Sequence, residues 1–154
     1  MKMMKNLLTL ALNFFIFSQA FATQYYSTGS QAWGASGFPS PGIATDTINI
    51  LSGHTVNFGA NKSINGVLFV NTGATLLGTA KFTINPSAEL NVDGDFTSTG
   101  EFHNDGHFYN PGRTAVKKIH SDGYICNSGI IKLEPGQRYD HHGGELECCG
   151  TFLA

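Results

Sequence analysis

Charged residues are scarce in this sequence. Asp, Glu, Lys and Arg make up 13% of the 154 residues, and the formal net charge is −2. No basic stripe of the kind that binds nucleic acid occurs, and no polybasic segment would hold the chain on a membrane surface. A disordered chain is rich in charge and poor in aromatic residues, whereas 12% of this chain is aromatic. The composition therefore predicts a folded protein without a nucleic-acid partner.

Long apolar runs are also missing. The longest, residues 7–17, is well short of the roughly 20 residues that a membrane-spanning helix needs. It follows Lys2 and Lys5 and precedes Ala20-Phe21-Ala22, which is the pattern of a secretory signal peptide at residues 1–22, cut near Ala22. Cleavage would leave seven basic and eleven acidic residues, a formal charge of −4. We expect an exported protein without a membrane span, secreted or at the cell surface, with the periplasm as the alternative.

Cysteine is limited to Cys126, Cys148 and Cys149. Export would permit a disulfide, and the candidate bridge joins Cys126 to Cys148 or Cys149. A bridge within the adjacent pair would be strained, and three free thiols are the other alternative. The odd count leaves at least one thiol free or paired with another molecule.

Helical periodicity of useful length is absent after the signal peptide. Residues 23–45 are rich in Ser, Gly and Pro and predict an irregular lead-in that caps the domain. From Asp46 onward, polar and apolar residues alternate, as in residues 47–50, 55–58 and 81–84. This period of two predicts β-strands separated by turn-forming residues.

Residues 89–112 repeat in sixes: ELNVDG, DFTSTG, EFHNDG and HFYNPG. Each six-residue unit, here called a hexad, has a large apolar residue second and glycine sixth. One short strand and one turn per hexad predict a β-solenoid over residues 46–154, with one inward side chain per hexad and glycine at the corner. Three sides per coil would stack residues 18 apart, such as Leu90 on Phe108. An antiparallel meander of short hairpins is the alternative, but such short arms form few cross-strand bonds.

The chain resembles the right-handed β-solenoid repeats of secreted and surface proteins of Gram-negative bacteria. The resemblance rests on Trp33, Pro39, DTINILSGHTVNF at residues 46–58, NTGATLLG at residues 71–78 and the hexads, and the opening is similar to the glycine-rich G8 type. It implies an extracellular or surface setting among adhesins and polysaccharide-active proteins. Those proteins are mostly large and multi-domain, whereas this chain is short, so an enzymatic role is not expected.

Histidine is the residue type that most suggests chemistry. Asp140, His141 and His142 are candidate metal ligands, and His103 and His107 form a second, sparser group. No standard ligand spacing such as His-Glu-x-x-His occurs. The hexad positions of His103 and His107 predict solvent-facing side chains, so a solvated surface is the preferred interpretation and metal binding is the alternative.

Catalytic patterns are missing. Glu89, Asp95 and Glu101 recur at the first hexad position, but successive hexads lie on different sides of a coil, so these carboxylates would not converge as a glycosidase pair. No nucleophile elbow and no phosphate loop occurs. We predict no catalytic site and no cofactor.

Aromatic residues offer the remaining binding candidates. Trp33 and Tyr109 are candidates for stacking against sugars, although a cap over the end of the core is the preferred interpretation for Trp33. The C-terminal residues 150–154 form an apolar, strand-like edge that predicts self-association or a surface partner, unless the tail folds back as its own cap. The first function hypothesis is a secreted structural or adhesive surface protein. The alternatives are a carbohydrate-binding or carbohydrate-cleaving β-helix and an exported metal-binding protein.

Overall fold

The computed structural model describes residues 23–35, 38 and 46–154, and the predicted signal peptide lies outside them. Every regular element in this part of the chain is a β-strand. The strands are β1 Gln24–Tyr26, β2 Gln31–Ala32, β3 Thr47–Ile50, β4 Thr55–Phe58, β5 Lys62–Ile64, β6 Val67–Val70, β7 Thr75–Gly78, β8 Phe82–Ile84, β9 Glu89–Val92, β10 Asp95–Asn104, β11 His107–Asn110, β12 Arg113–Ser121, β13 Tyr124–Asn127, β14 Ile130–Leu133, β15 Tyr139–His141, β16 Leu146–Cys148 and β17 Thr151–Leu153. Since the described residues contain no helix, none of them forms a helix that would cross a membrane.

The strands stack in parallel on three sides of a β-solenoid of about 6 turns, so the predicted fold class is confirmed. The first side has the order β1-β3-β6-β9-β11-β13-β16, and the second has β2-β4-β7-β10-β12-β14-β17. The third side contains β5, β8, the second halves of β10 and β12, and β15. A register shift between Ser98 and Glu101 divides β10 between the second and third sides. Parallel pairing throughout excludes the antiparallel meander.

Coil length varies along the solenoid. Leu90 pairs with Phe108, so the predicted 18-residue repeat is confirmed for that coil. Elsewhere the same side repeats after 20 residues (Thr47 to Val67), 22 (Val67 to Glu89) and 17 (His107 to Tyr124). The turns absorb these differences, since the strands themselves remain in register.

The core is a column of apolar side chains. Leu90, Phe96, Phe102 and Phe108, the second residues of the four hexads, are fully buried as predicted. The Phe102 ring packs edge-on against Phe96 at 5.4 Å and Phe108 at 4.9 Å between ring centroids. Such T-shaped contacts add to the hydrophobic gain from burial.

A second residue of each hexad also faces inward, as the alternation predicted for Val92. The fourth positions, Val92, Ser98, Asn104 and Asn110, are also buried. Nδ2 of Asn104 donates to the Tyr124 carbonyl at 2.9 Å, and Nδ2 of Asn110 donates to the Ile130 carbonyl at 3.1 Å. The asparagine side chains therefore satisfy backbone acceptors of the next coil at the corners.

The hexad glycines are needed for a different reason from the one that the sequence suggested. Among the residues that the structure describes, positive φ occurs at Gly53, Gly73 and three other glycines, but at none of the hexad glycines. A Cβ on Gly112 would instead collide with the carbonyl oxygen of Gly94 in the preceding coil. Close approach of stacked corners, rather than left-handed backbone geometry, excludes a side chain there.

The described part of the predicted lead-in already belongs to the solenoid. Strand β1 pairs with β3, and β2 pairs with β4. Trp33 is 6% exposed and packs edge-on against Phe38 and Phe82, with ring centroids 5.5 and 6.0 Å away. These rings extend the core at its N-terminal end. Residues 36–37 and 39–45 of the lead-in lie outside the described part.

Strands β15, β16 and β17 form the most C-terminal coil of the described residues. Strand β17 pairs with β14, and Phe152 packs on Tyr139 at 5.3 Å between ring centroids. Among the described residues, β15, β16 and β17 each pair with a strand on one side only. Leu146 and Leu153 are 40% and 48% exposed at this edge.

Candidate functional site

Because successive side chains of a strand alternate between the core and solvent, each side of the solenoid presents outward-facing columns. Two of these columns bring together side chains that could bind a ligand. One lies on the first side and is rich in aromatic rings, and the other lies on the third side and is rich in histidine.

The aromatic group, here called the tyrosine patch, consists of His107 and Tyr109 on β11 and Tyr124 on β13. His107 and Tyr109 occupy alternate positions of the same strand, and their ring planes differ by 9° at a centroid separation of 6.5 Å. Tyr124 is the register partner of His107 in the next coil. Its ring lies 5.6 Å from Tyr109 and 5.9 Å from His107. Parallel pairing thus assembles three rings into one surface.

Carboxylates border the tyrosine patch. The Tyr124 hydroxyl donates to Oε2 of Glu147 at 2.7 Å, and Glu145 lines an open depression together with the three rings. The hydrogen bond to Glu147 raises the pKa of Tyr124 above its usual range, because ionising the phenol would place two negative charges together. The tyrosine patch therefore combines apolar ring faces with exposed hydrogen-bond acceptors.

The histidine group lies on the outer face of the third side. His103 and His120 are register partners on β10 and β12, with ring centroids 5.0 Å apart. His142 follows β15, and its ring is 4.7 Å from that of His120. Asp140 on β15 is the register partner of His120. One ligand atom from each of His120, Asp140 and His142 lies within 4.8 Å of the others.

Two cations hold the Asp140 carboxylate. Lys118 Nζ contacts Oδ2 and Arg138 Nε contacts Oδ1, each at 2.7 Å. The hydrogen bond from Lys118, helped by the charge of Arg138, keeps the pKa of Asp140 below its usual value. The carboxylate is therefore an anion with its orientation defined on both oxygens.

The predicted metal ligands are brought together in part. Asp140 and His142 lie in one cluster, whereas Nδ1 of His141 is hydrogen-bonded to the Tyr139 hydroxyl at 2.8 Å, away from them. His120 was missed, because it is 20 residues from Asp140 and only the coil length brings them into register. His103 and His107, grouped in the sequence, lie on different sides of the solenoid.

The predicted disulfide is not formed, and all three cysteines are free thiols. Cys126 pairs with Glu147 and faces outward, whereas Cys148 pairs with the buried Asn127. Nδ2 of Asn127 contacts Sγ of Cys148 at 3.6 Å, so Cys148 faces the inner side of the sheet. The two thiols therefore point to opposite faces, which a bridge does not permit without backbone movement.

The other candidates are separated by the fold. Glu89 lies on the first side, Asp95 on the second and Glu101 on the third, so the three carboxylates do not share a site. Trp33 lies in the core and has no open face for a sugar. Tyr109 alone of the two stacking candidates lies on the outer surface, in the tyrosine patch.

No protein-family model, no curated protein and no solved structure matches the chain. The fold alone therefore defines its class, a parallel β-solenoid with short sides.

Proposed function

We propose that the protein is a secreted, non-catalytic adhesive solenoid that binds polysaccharide through the tyrosine patch. The observation that carries the proposal is the cluster of His107, Tyr109 and Tyr124 on one outer face. The predicted signal peptide and the resemblance to Gram-negative surface-protein repeats with a G8-like opening support the extracellular setting.

The chemistry of the tyrosine patch suits a sugar chain. Aromatic rings offer flat apolar area at low entropic cost, and the C–H face of a pyranose packs well on it. Glu145 and Glu147 supply acceptors for the hydroxyl groups around the sugar ring. A solenoid side is long and flat, so an extended polysaccharide has room along the strand stack. This geometry favours an extended chain over a small ligand, which prefers an enclosed cavity.

Binding is proposed without cleavage. A glycosidase acid is kept protonated by an apolar surrounding, whereas Glu145 and Glu147 are both exposed. The Glu147 carboxylate is moreover engaged by the Tyr124 hydroxyl. The proposed role is therefore attachment to a glycan surface.

A glycan array with the exported protein tests this role. The Tyr109→Ala and Tyr124→Ala variants should each weaken binding to any captured glycan on the order of tenfold or more, as expected for central aromatic contacts. Tyr26→Ala is the matched control, because Tyr26 is also an exposed tyrosine of the first side, 49% exposed on β1. Retained binding in both patch variants, or capture of no glycan by the unmodified protein, would refute the proposal. Release of reducing ends from a captured glycan would refute its non-catalytic part.

Self-association at β15, β16 and β17 is a second proposal, favoured by the exposed Leu146 and Leu153. Unpaired strand edges readily pair with another chain. Light scattering over a concentration series should show a mass that rises with concentration. A Leu153→Lys variant should reduce the rise, and a constant monomer mass would contradict the idea.

A further inference from the structure

The histidine group on the third side has the composition of a transition-metal site. Two imidazoles and one carboxylate form a donor set that binds Zn²⁺. Ligand atoms of His120, Asp140 and His142 already lie within 4.8 Å of one another. A zinc ion about 2.0–2.1 Å from each ligand would need ligand atoms on the order of 3.4 Å apart. Small side-chain rotations at this solvent-facing position would close that difference.

The backbone places these ligands before any ion arrives. His120 and Asp140 are register partners on adjacent parallel strands. The amide of His142 donates to the Ser121 carbonyl at 3.0 Å, so the residue after β15 is also tied to β12. Since two neighbouring coils fix all three positions, binding would require little ordering of the chain, which favours affinity.

A metal ion would compete with Lys118 and Arg138 for the Asp140 carboxylate. A carboxylate can hold a metal with one oxygen while the other accepts a hydrogen bond, and such outer contacts orient metal ligands. The Arg138 side chain is 81% exposed, so its displacement costs little, because exposed ion pairs contribute little. Lys118 is less exposed, at 28%, and is the better candidate to remain as the orienting partner.

We propose that His120, Asp140 and His142 bind a divalent transition-metal ion, with Zn²⁺ as the representative case. The site lies on the third side, whereas the tyrosine patch lies on the first, so it is independent of the proposed glycan binding. With three protein ligands it leaves a coordination position open to water or to a group from a partner molecule.

Calorimetric titration of the exported protein with ZnCl₂ tests the site. His120→Gln and His142→Gln should each weaken binding by about 100-fold or more, or abolish it, because loss of a ligand costs more than the roughly 10–100-fold typical of losing an outer contact to a ligand. Arg138→Gln should tighten binding only slightly, because the exposed Arg138 side chain is displaced from Asp140 at little cost. His141→Gln is the matched control: it changes the adjacent exposed histidine, whose ring contacts Tyr139 instead, and should leave zinc binding unchanged. Circular dichroism of each variant checks that the fold is retained.

Titration with Co²⁺ separates this site from the thiols near the C-terminus. Cobalt bound by His120, Asp140 and His142 would show d–d bands without a thiolate charge-transfer band. An intense thiolate band, equal loss in the His141→Gln and His142→Gln variants, or no saturable zinc binding would each overturn the proposal.

Discussion

The ring of Phe58 occupies the space next to Gly78, its register partner in the following coil. Both residues face the core, and a Cβ built on Gly78 would collide with Cζ, Cε1 and Cε2 of that ring. The absence of a side chain at Gly78 makes room for the Phe58 ring. Because packed interiors leave no room for extra atoms, a larger residue at position 78 would push the two coils apart.

Replacing Gly78 with Ala should therefore destabilise the protein by about 1–3 kcal/mol, the usual cost of overpacking. Gly59→Ala is the matched control, because the nearest atom to its Cβ would be Thr79 Oγ1 at 4.0 Å. Urea unfolding measures both variants. Equal losses in the two would contradict the packing argument.

The Phe102 ring is the centre of the aromatic column. Phe102→Ala should lower the free energy of unfolding by about 3–5 kcal/mol, since it removes a fully buried ring and leaves a cavity. Thr97→Ala, at an outward position of the same strand, should change it by about 0.5 kcal/mol or less. A small effect at both positions in chemical denaturation would overturn the assignment of inward and outward residues.

Asn110 joins two coils inside the core. Its Nδ2 donates to Oδ1 of Asn127 at 2.7 Å and to the Ile130 carbonyl, while its Oδ1 accepts from the Thr114 hydroxyl at 2.8 Å. Asn110→Ala would leave buried polar groups unpaired, at a cost of about 1–3 kcal/mol for each.

Asn91→Ala provides the comparison for Asn110, since Asn91 lies on the outer face, where its side-chain Nδ2 donates to Glu89. Its thermal unfolding midpoint should stay close to that of the unmodified protein, while that of the Asn110 variant falls. The reverse order would show that the inner asparagines do not stabilise the solenoid.

Ionisation of Tyr124 should depend on Glu147. The hydrogen bond raises the pKa of Tyr124, so the contact stabilises the fold below the ordinary tyrosine pKa near 10 and is lost as the pH rises through the raised value. Glu147→Gln removes the negative charge, and Tyr124 should then ionise at lower pH. Tyrosinate absorbance measures the shift.

The Tyr124→Phe variant assigns the titration to the correct residue. This control is needed because burial also raises the pKa of Tyr139. Loss of the Glu147-dependent step in Tyr124→Phe is the expected result. Identical curves for the unmodified protein and Glu147→Gln would rule out the coupling.

All three cysteines should react with an alkylating agent in the purified protein, with three added groups in its mass spectrum. The reason is that all three thiols are free in the structure, and Cys126 and Cys148 in addition face opposite sides of one sheet. Half-buried Cys126 should react more slowly than Cys148 and Cys149. A protein mass that accepts only one group would show that a bridge forms after all.

The sequence by itself predicted the strands, the solenoid class and the inward position of residues such as Phe96 and Phe108, while the number of sides per coil stayed an assumption until the strands were seen to pair. These properties are local, because the alternation along a strand and the turn after each short side depend on residues that are neighbours in the sequence. The requirement for glycine at Gly112 was also visible, although its cause, the carbonyl of Gly94, was not.

Tertiary structure alone decided which distant residues share a surface. His120 meets Asp140 after 20 residues, while Tyr124 follows His107 after 17, and no single repeat in the sequence predicts both separations. The physical reason is that turn residues lengthen or shorten a coil without disturbing the hydrogen-bonded strands. The register of one coil on the next, and with it the histidine group, the tyrosine patch and the facing of the cysteines, is therefore set only when the coils pack.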